Sequence, residues 1–196
     1  MRIIGISGSL RTASLNTALL RAAVEECPGG ATIEIESIRG IPLYDGDVEA
    51  AEGLPARAAV LKDRIASADG LLLVTPEYNN SIPGVFKNAI DWMTRPSADI
   101  PRVFGGRPVG LIGASPGRFG TVMSQAAWQP VFRTLGMRPW FGELLYVGGA
   151  GKLFDPAGKI TDEATRTRLR SYLRGFVDFI GQGQGTRGQA AGPGRY

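Results

Sequence analysis

The chain has 196 residues, of which 43% are hydrophobic and 20% are charged, and its formal net charge is +4, a balance typical of one globular domain with a full core. The net charge is too small for a nucleic-acid interface. The sequence has no apolar run of roughly 18 residues and no signal-peptide pattern, so we expect a cytoplasmic protein with no membrane partner. One cysteine and no histidine exclude an internal disulfide, Ser-His or Cys-His catalysis and histidine-ligated metals, so an enzyme of this sequence needs other residues or a cofactor.

The first predicted strand, residues 2–6, runs into a turn of small and hydroxyl-bearing residues. Leucines and alanines then recur at helical spacing over residues 15–24, so the turn lies where a strand ends and a helix begins. There, unpaired backbone N–H groups and the positive end of the helix dipole favour a phosphate. The side chains that we expect to bind it are Ser9, Arg11, Ser14, Asn16 and Thr17.

A simpler interpretation of the same turn is that Ser14 or Asn16 only caps the helix and that Arg11 is a solvated surface charge. If the turn does bind a phosphate, its glycines, Gly5 and Gly8, match neither the dinucleotide-binding fingerprint nor the Walker motif. A hydroxyl-lined loop after the first strand is instead the arrangement with which flavodoxin-like folds bind a mononucleotide phosphate. The turn therefore predicts bound FMN.

Strands and helices alternate along the rest of the chain. Further strands are predicted over residues 32–38, 70–75, 107–114 and 139–147, and further helices over residues 56–67, 83–93, 121–135 and 162–180. This alternation predicts an α/β, flavodoxin-like fold of three layers, with a five-stranded parallel sheet of order 2-1-3-4-5 and helices on both faces. We expect a domain over residues 1–180 and a flexible tail over the glycine-rich residues 181–196.

Two other loops with unusual chemistry leave the carboxyl ends of predicted strands. In the segment Pro76-Glu77-Tyr78-Asn79, the tyrosine can flank a flat ring, while the asparagine and backbone groups can bond its polar edge. Residues 115–120 can bring backbone close to the same ring or to a nicotinamide cofactor. Because ligands bind beyond the carboxyl ends of such strands, we expect all three loops to meet, although each alone could be an ordinary turn.

Together these motifs resemble the NADPH-dependent FMN reductases of flavodoxin-like fold, a family that includes quinone and chromate reductases and azoreductase-like enzymes. The matching segments are Gly8-Ser9-Leu10-Arg11, Pro76-Glu77-Tyr78-Asn79 and the run from Ser81 to Trp92. The resemblance implies that the first segment binds the FMN phosphate and that the second lines the flavin. It also implies that Ser115 and Gly117 occupy a loop beside the flavin.

The resemblance implies an oxidoreductase in which bound FMN takes hydride from NADPH or NADH and passes electrons to a quinone, free flavin, chromate or azo compound. We assign no side chain as catalytic, because the chemistry belongs to the cofactor, and we expect ping-pong turnover. The alternatives are a flavodoxin-like electron carrier, which usually has a strongly acidic surface, and a non-enzymatic binding protein.

The helix predicted to begin at Pro83 is also a candidate subunit interface. Trp92 and Val85 lie off its apolar stripe, with Asp91, Lys87 and Arg95 nearby for reciprocal ion pairs. The alternative is that Trp92 simply covers the sheet from the edge of its helix, because large aromatic side chains are usually well buried. The resemblance favours the interface, because members of the family generally dimerise. We therefore expect a homodimer or a homotetramer.

Overall fold

A parallel sheet forms the centre of the computed structural model, which describes residues 1–189 and the side chains as far as residue 183. Its strands are β1 (Arg2–Ser7), β2 (Thr32–Glu36), β3 (Gly70–Val74), β4 (Pro108–Ala114), β5 (Arg138–Pro139) and β6 (Leu145–Val147). Their order is β2-β1-β3-β4-β5, and β6 also pairs with β4. The predicted sheet order is thus confirmed. The central strands β3 and β4 are buried along their whole length, as expected of continuous apolar runs covered on both faces.

Helices cover both faces of the sheet, which confirms the three-layer flavodoxin-like fold. They are α1 (Leu15–Glu25), α2 (Gly46–Glu52), α3 (Ala56–Ala66), α4 (Gly84–Met93), α5 (Ile100–Val103), α6 (Val122–Thr134) and α7 (Glu163–Gln189). One core contains Leu61, Phe86 and Trp128 and lies beneath α3, α4 and α6. The other lies beneath α1 and α7 and contains Leu19 and Tyr172. None of the helices between residues 1 and 189 combines the length and apolar character of a membrane crossing.

The predicted fifth strand is divided into β5 and β6, which pair with different parts of β4. Between them, the Tyr172 hydroxyl of α7 accepts the Leu111 N–H at 2.7 Å and donates to the Leu111 carbonyl at 3.2 Å. This side chain occupies the place of a neighbouring strand, because it satisfies the backbone groups that a continuous strand would pair. Trp140 meanwhile leaves the sheet and packs edge-on against Tyr172, with ring centroids 4.7 Å apart.

The structure adds α2 between the predicted strand over residues 32–38 and the predicted helix over residues 56–67, where the sequence analysis predicts no helix. The helix begins where the Asp45 carboxylate accepts the Asp47 N–H at 2.9 Å, a capping arrangement that satisfies one of the unpaired first-turn donors. Glu49 of this helix then forms an ion pair with Arg95 at 2.8 Å, which ties α2 to the end of α4.

The last helix, α7, continues to Gln189, beyond the end predicted at Ile180. Residues 181–189 of the predicted tail are therefore helical, while residues 190–196 lie outside the described part of the chain. Gly183 is buried close to the Arg138 guanidinium, which a larger side chain at this position would displace. The division into a domain over residues 1–180 and a tail stays a prediction.

The interpretation of Trp92 as an exposed interface residue is wrong. Its side chain is fully buried within the monomer, where Nε1 donates to the Pro42 carbonyl at 2.9 Å and the ring packs edge-on against Tyr44. Lys87 and Asp91 form an ion pair with each other at 2.6 Å, one helical turn apart. Trp92 thus belongs to the packing between α4 and the loop that precedes α2.

Candidate functional site

The turn between β1 and α1 presents backbone donors at a helix start. Ser14 is the N-cap of α1, and its Oγ accepts the Thr17 N–H at 3.1 Å. The N–H groups of Leu15 and Asn16 belong to the same first turn and have no acceptor within the helix. Together with the helix dipole, these donors form a site for an anion at the carboxyl end of β1.

Hydroxyl groups hold the rest of this turn in shape. Ser9 Oγ accepts the Arg11 N–H at 3.3 Å, and Thr17 Oγ1 donates to Ser7 Oγ at 3.0 Å. The guanidinium of Arg11 is exposed and has no hydrogen bond or ion pair to any residue within the described chain. Arg11 is therefore the charged group of the turn that remains available to a ligand.

The side chain of Asn16 makes long-range hydrogen bonds to the backbone of β4. It is only 4% exposed, its Nδ2 donates to the Ala114 carbonyl at 2.8 Å, and its Oδ1 accepts the Ala114 N–H at 2.9 Å. Both ends of the amide are thus used to join α1 to the end of β4. The Asn16 and Thr17 side chains thus help to hold the turn in place, and their contacts with a phosphate stay a prediction.

The second loop owes its shape to a tight turn at Tyr78–Ser81. These two residues exchange backbone hydrogen bonds of 3.2 and 3.1 Å. Asn79 and Asn80 between them have φ angles of 50° and 60°, the left-handed geometry of a type I′ turn, which asparagine adopts more readily than most residues. The turn leaves the Tyr78 side chain 44% exposed at the edge of the site.

Glu77 connects the second loop to α6. Its Oε2 accepts the Ser124 N–H at 3.0 Å, in the first turn of a helix whose own N-cap, Thr121, makes no side-chain cap bond. A carboxylate is favourable there because it faces the positive end of the helix dipole. Beneath it, the buried Thr75 Oγ1 lies 2.9 Å from Ser124 Oγ and accepts from Trp128 Nε1 at 3.1 Å. The loop is thus anchored on the face of the sheet that α6 covers.

The third loop, residues 115–120, is joined to the segment after β6, which the sequence analysis missed. The Ser115 carbonyl accepts the Ala150 N–H and the Gly117 carbonyl accepts the Gly149 N–H, both at 3.0 Å. A Cβ at Gly148 would lie 2.2 Å from the Arg118 carbonyl oxygen, so only glycine permits this approach. The run of two glycines at 148–149 was the available sequence signal.

The three loops meet around a cavity of about 60 Å³ beyond the ends of β1, β3 and β4. The residues that line it are Ser9, Arg11, Ser14, Leu15, Asn16, Pro76, Glu77, Tyr78, Ala114, Ser115 and Pro116. Among the predicted site residues, Thr17, Asn79 and Gly117 do not line it. Because pockets for whole ligands usually measure roughly 300–1,000 Å³, this cavity suits one small group, such as a phosphate.

Comparison with known proteins gives concordant results. A family model described as NADPH-dependent FMN reductase matches residues 1–151. An NAD(P)H-dependent FMN reductase of Pseudomonas aeruginosa is 40% identical over 174 residues, which are 89% of this chain and 92% of that protein. A 2-hydroxy-1,4-benzoquinone reductase of a Burkholderia species is 36% identical over 180 residues, covering 92% of this chain and 96% of that protein.

One solved structure is similar in both sequence and shape. The flavoenzyme NAD(P)H:(acceptor) oxidoreductase FerB from Paracoccus denitrificans superposes with a TM-score of 0.82 at 34% identity, covering 92% of this chain and 97% of that chain. An NADH:FMN oxidoreductase in its apo form gives a TM-score of 0.64 at 19% identity, which shows the same fold.

Proposed function

The chain belongs to the NADPH-dependent FMN reductase family, and we propose that it uses bound FMN to carry electrons from NADPH or NADH to a quinone. The observation that supports this most directly is the convergence of three loops on the cavity beside Arg11. FMN, when bound, supplies a redox centre that accepts two electrons from a pyridine nucleotide and releases them to an acceptor. The protein contributes binding, orientation and access.

The residues around the cavity fit the phosphate of FMN. A phosphate is a dianion that needs donors and positive charge, and the turn offers the Arg11 guanidinium, the Ser9 hydroxyl and the N–H groups of Leu15 and Asn16. Glu77 is the carboxylate in the cavity wall, and its Oε2 is bonded to the Ser124 N–H of α6. We therefore propose that Arg11 and Ser9, together with the first turn of α1, hold the phosphate.

The second and third loops fit the ring of the flavin. Tyr78 is exposed beside the cavity and can flank a planar ring, while backbone groups of residues 76–79 can bond to the polar edge of the ring. In the third loop, Ser115 Oγ accepts the Gly117 N–H at 3.1 Å, which holds the loop in a compact turn beside the cavity. In this proposal the loops leave one face of the ring open.

A single open face requires donor and acceptor to use the same surface in turn, so we propose ping-pong turnover. The quinone acceptor is supported by relatives that are named quinone reductases, at 34% identity for the protein of Escherichia coli. Initial rates measured with NADPH and 1,4-benzoquinone varied together should give parallel double-reciprocal lines. Intersecting lines would contradict the shared surface, and no quinone-dependent oxidation of either nucleotide by the FMN-bound protein would overturn the proposed function.

We also propose that the protein is a homodimer or a homotetramer and that a groove between α4 and α6 takes part in the contact. The groove has a volume of about 390 Å³ and is lined by apolar side chains that include Ile90, Ile100 and Val131, with Lys87 and Asp91 also in its wall. Across a two-fold axis, Lys87 of one copy can pair with Asp91 of the other, and the same pair then forms a second time. This argument replaces the one based on Trp92.

A further inference from the structure

A second cavity adjoins the proposed phosphate site. It lies between α1 and the loop of residues 151–158, and its volume is about 400 Å³. Ser14 and Leu15 line both cavities, so the two are neighbours across the first turn of α1. A volume of this size falls within the range of roughly 300–1,000 Å³ that is usual for small-molecule sites.

The wall formed by the 151–158 loop is shaped by the loop's own hydrogen bonds. The Asp155 carboxylate accepts the Lys159 N–H at 2.8 Å, and the Asp155 carbonyl accepts the Gly158 N–H at 2.9 Å. Gly158 has a φ of 83°, and a Cβ there would already lie 3.4 Å from the Ala18 Cβ of α1. The loop is therefore a preformed turn that packs closely on α1 below the cavity.

The lining combines apolar surface with one unpaired cation. Phe154, Pro156, Leu15 and Ala18 supply apolar surface, and Arg21 supplies a guanidinium. Within residues 1–183, Arg21 has no hydrogen bond or ion pair, whereas Arg166 and Arg170 on the neighbouring α7 both pair with Glu26. Asp155 is the carboxylate of the wall and is engaged in its own turn, without an ion pair to Arg21.

An apolar cavity with one free guanidinium suits a planar ring that carries a phosphate, because the ring can pack on the apolar wall while the fork of arginine binds phosphate oxygens. The neighbouring cavity narrows the choice of ligand. A ligand that reacts over the flavin and extends past Ser14 would reach this second cavity with its far end. NADPH has that form, with a reactive nicotinamide at one end and an adenosine 2′-phosphate at the other.

We propose that the second cavity binds the adenosine 2′-phosphate end of NADPH, with the adenine against Phe154 and Pro156 and the 2′-phosphate on Arg21. This inference rests on the proposed function, since it assigns a subsite to the donor of that reaction. It makes Arg21 a specificity-determining residue, because NADH lacks the phosphate that the guanidinium binds.

The test compares the two nucleotides in Arg21→Ala, with Arg168→Ala as control because Arg168 is also an exposed arginine, on α7 and outside the cavity. We expect Arg21→Ala to raise the KM for NADPH and the inhibition constant of 2′,5′-ADP on the order of 10- to 100-fold, as for a lost charge-assisted phosphate bond. The KM for NADH, the kcat with either nucleotide and the FMN affinity should stay within about twofold of the wild type. Arg168→Ala should change none of these values.

A second variant tests the adenine part of the site. Ala157 lies exposed in the cavity wall, so Ala157→Trp should fill the cavity without disturbing the core. We expect it to raise the KM for NADPH and NADH alike and to leave FMN affinity unchanged, because both nucleotides carry adenine.

The outcomes separate this inference from the proposed function. Equal changes for NADPH and NADH in Arg21→Ala, or no change in either, would overturn the assignment of Arg21. Unchanged KM values in Ala157→Trp would overturn the assignment of this cavity as the adenine site. In either case, oxidation of NADH by quinone in the wild-type protein would still support the proposed function. A wild-type protein that binds FMN but oxidises neither nucleotide would overturn both the proposed function and the nucleotide subsite.

Discussion

Two polar residues of the same turn, Arg11 and Asn16, differ in what their side chains contact. Arg11 is exposed and has no partner within the described chain, whereas Asn16 is buried and bonds both backbone groups of Ala114. Removing the first should therefore affect ligand binding, and removing the second should affect the fold. The two substitutions distinguish the proposed phosphate contact from the framework that supports it.

For Arg11→Ala we expect FMN affinity to fall by roughly 10- to 150-fold, which corresponds to the loss of about 1.5–3 kcal/mol for a charge-assisted hydrogen bond. The measurement is a fluorescence titration of the flavin-free protein with FMN. Stability without FMN should be unchanged, because the exposed guanidinium makes no hydrogen bond or ion pair to a described residue. Arg133→Ala, which removes an exposed arginine of α6, serves as the control, and an unchanged affinity in Arg11→Ala would refute the phosphate assignment.

For Asn16→Ala we expect the free energy of unfolding of the flavin-free protein to fall by about 2–4 kcal/mol, because two buried backbone groups of Ala114 lose their partner. Urea denaturation measures this directly. Asn16→Asp should not recover the loss, because one buried carboxylate oxygen would face the Ala114 carbonyl oxygen in place of the Nδ2 donor. Unchanged stability with abolished FMN binding would instead show that the side chain acts on the cofactor.

At the scale of elements, polar side chains join segments that the sheet alone does not connect. Glu77 joins the second loop to α6, and Glu49 joins α2 to Arg95 at the end of α4. The buried Lys62 of α3 bonds the Arg95 carbonyl and forms an ion pair with Asp99 at 2.8 Å. The segment between α4 and β4 is thus held against α3 by charge, and its stability should depend on pH.

The pH dependence follows from Asp99. Hydrogen bonds from Arg102 and then Lys62 lower the pKa of this carboxyl from 3.8 to about 2. A carboxyl whose pKa is lower in the folded state stabilises the fold above its unfolded pKa and loses that contribution as the pH falls through the folded value. Asp99→Asn should therefore be less stable than the wild type at neutral pH, and the difference should shrink between about pH 4 and pH 2.

Urea unfolding of the wild type and Asp99→Asn across that pH range checks this prediction. Asp155→Asn is a suitable control, because the Asp155 carboxylate accepts a backbone N–H and has no ion pair within the described residues. A difference between wild type and Asp99→Asn that stays constant from pH 7 to pH 2 would contradict the role of the charged pair.

At the scale of the whole molecule, the end of α7 and the proposed site lie at opposite ends of the sheet. Ile180 packs over Gly70 at the start of β3, and Gly183 lies against Arg138 at the start of β5. The three loops of the site leave the other, carboxyl ends of the strands. Truncation after Ile180 should therefore leave FMN affinity and quinone reduction unchanged, as titration and steady-state rates would measure. Loss of FMN from the truncated protein would show that the removed residues support the site.

Association through the groove between α4 and α6 is also a property of the whole molecule. Sedimentation equilibrium of the FMN-bound protein should give the mass of a dimer or tetramer at micromolar concentration. Thr134→Arg places a charge in the groove at an exposed position and should shift the equilibrium toward monomer, whereas Arg168→Glu on α7 should not. A wild-type monomer with full activity would contradict the proposed assembly.

The sequence by itself determined the sheet order and the three-layer fold, and it predicted that the candidate site lies at the carboxyl ends of the strands. Continuous apolar runs define buried parallel strands. The residue types that follow these strands, such as Ser9, Arg11 and Tyr78, can be identified from the sequence without knowledge of any tertiary contact. Because the carboxyl ends of parallel strands meet at one edge, the convergence of the loops follows from topology. The family resemblance rested on the same local motifs, and the comparisons confirmed it.

Only the tertiary structure decided which polar groups remain free for a ligand. Asn16 bonds Ala114, Glu77 bonds Ser124, and Trp92 donates to the Pro42 carbonyl, all across long separations in the chain. Likewise, Tyr172 divides the last predicted strand by bonding Leu111. Periodicity shows whether a side chain faces the core, but a hydrogen bond depends on distances of a few tenths of an ångström between segments that only the packed fold brings together.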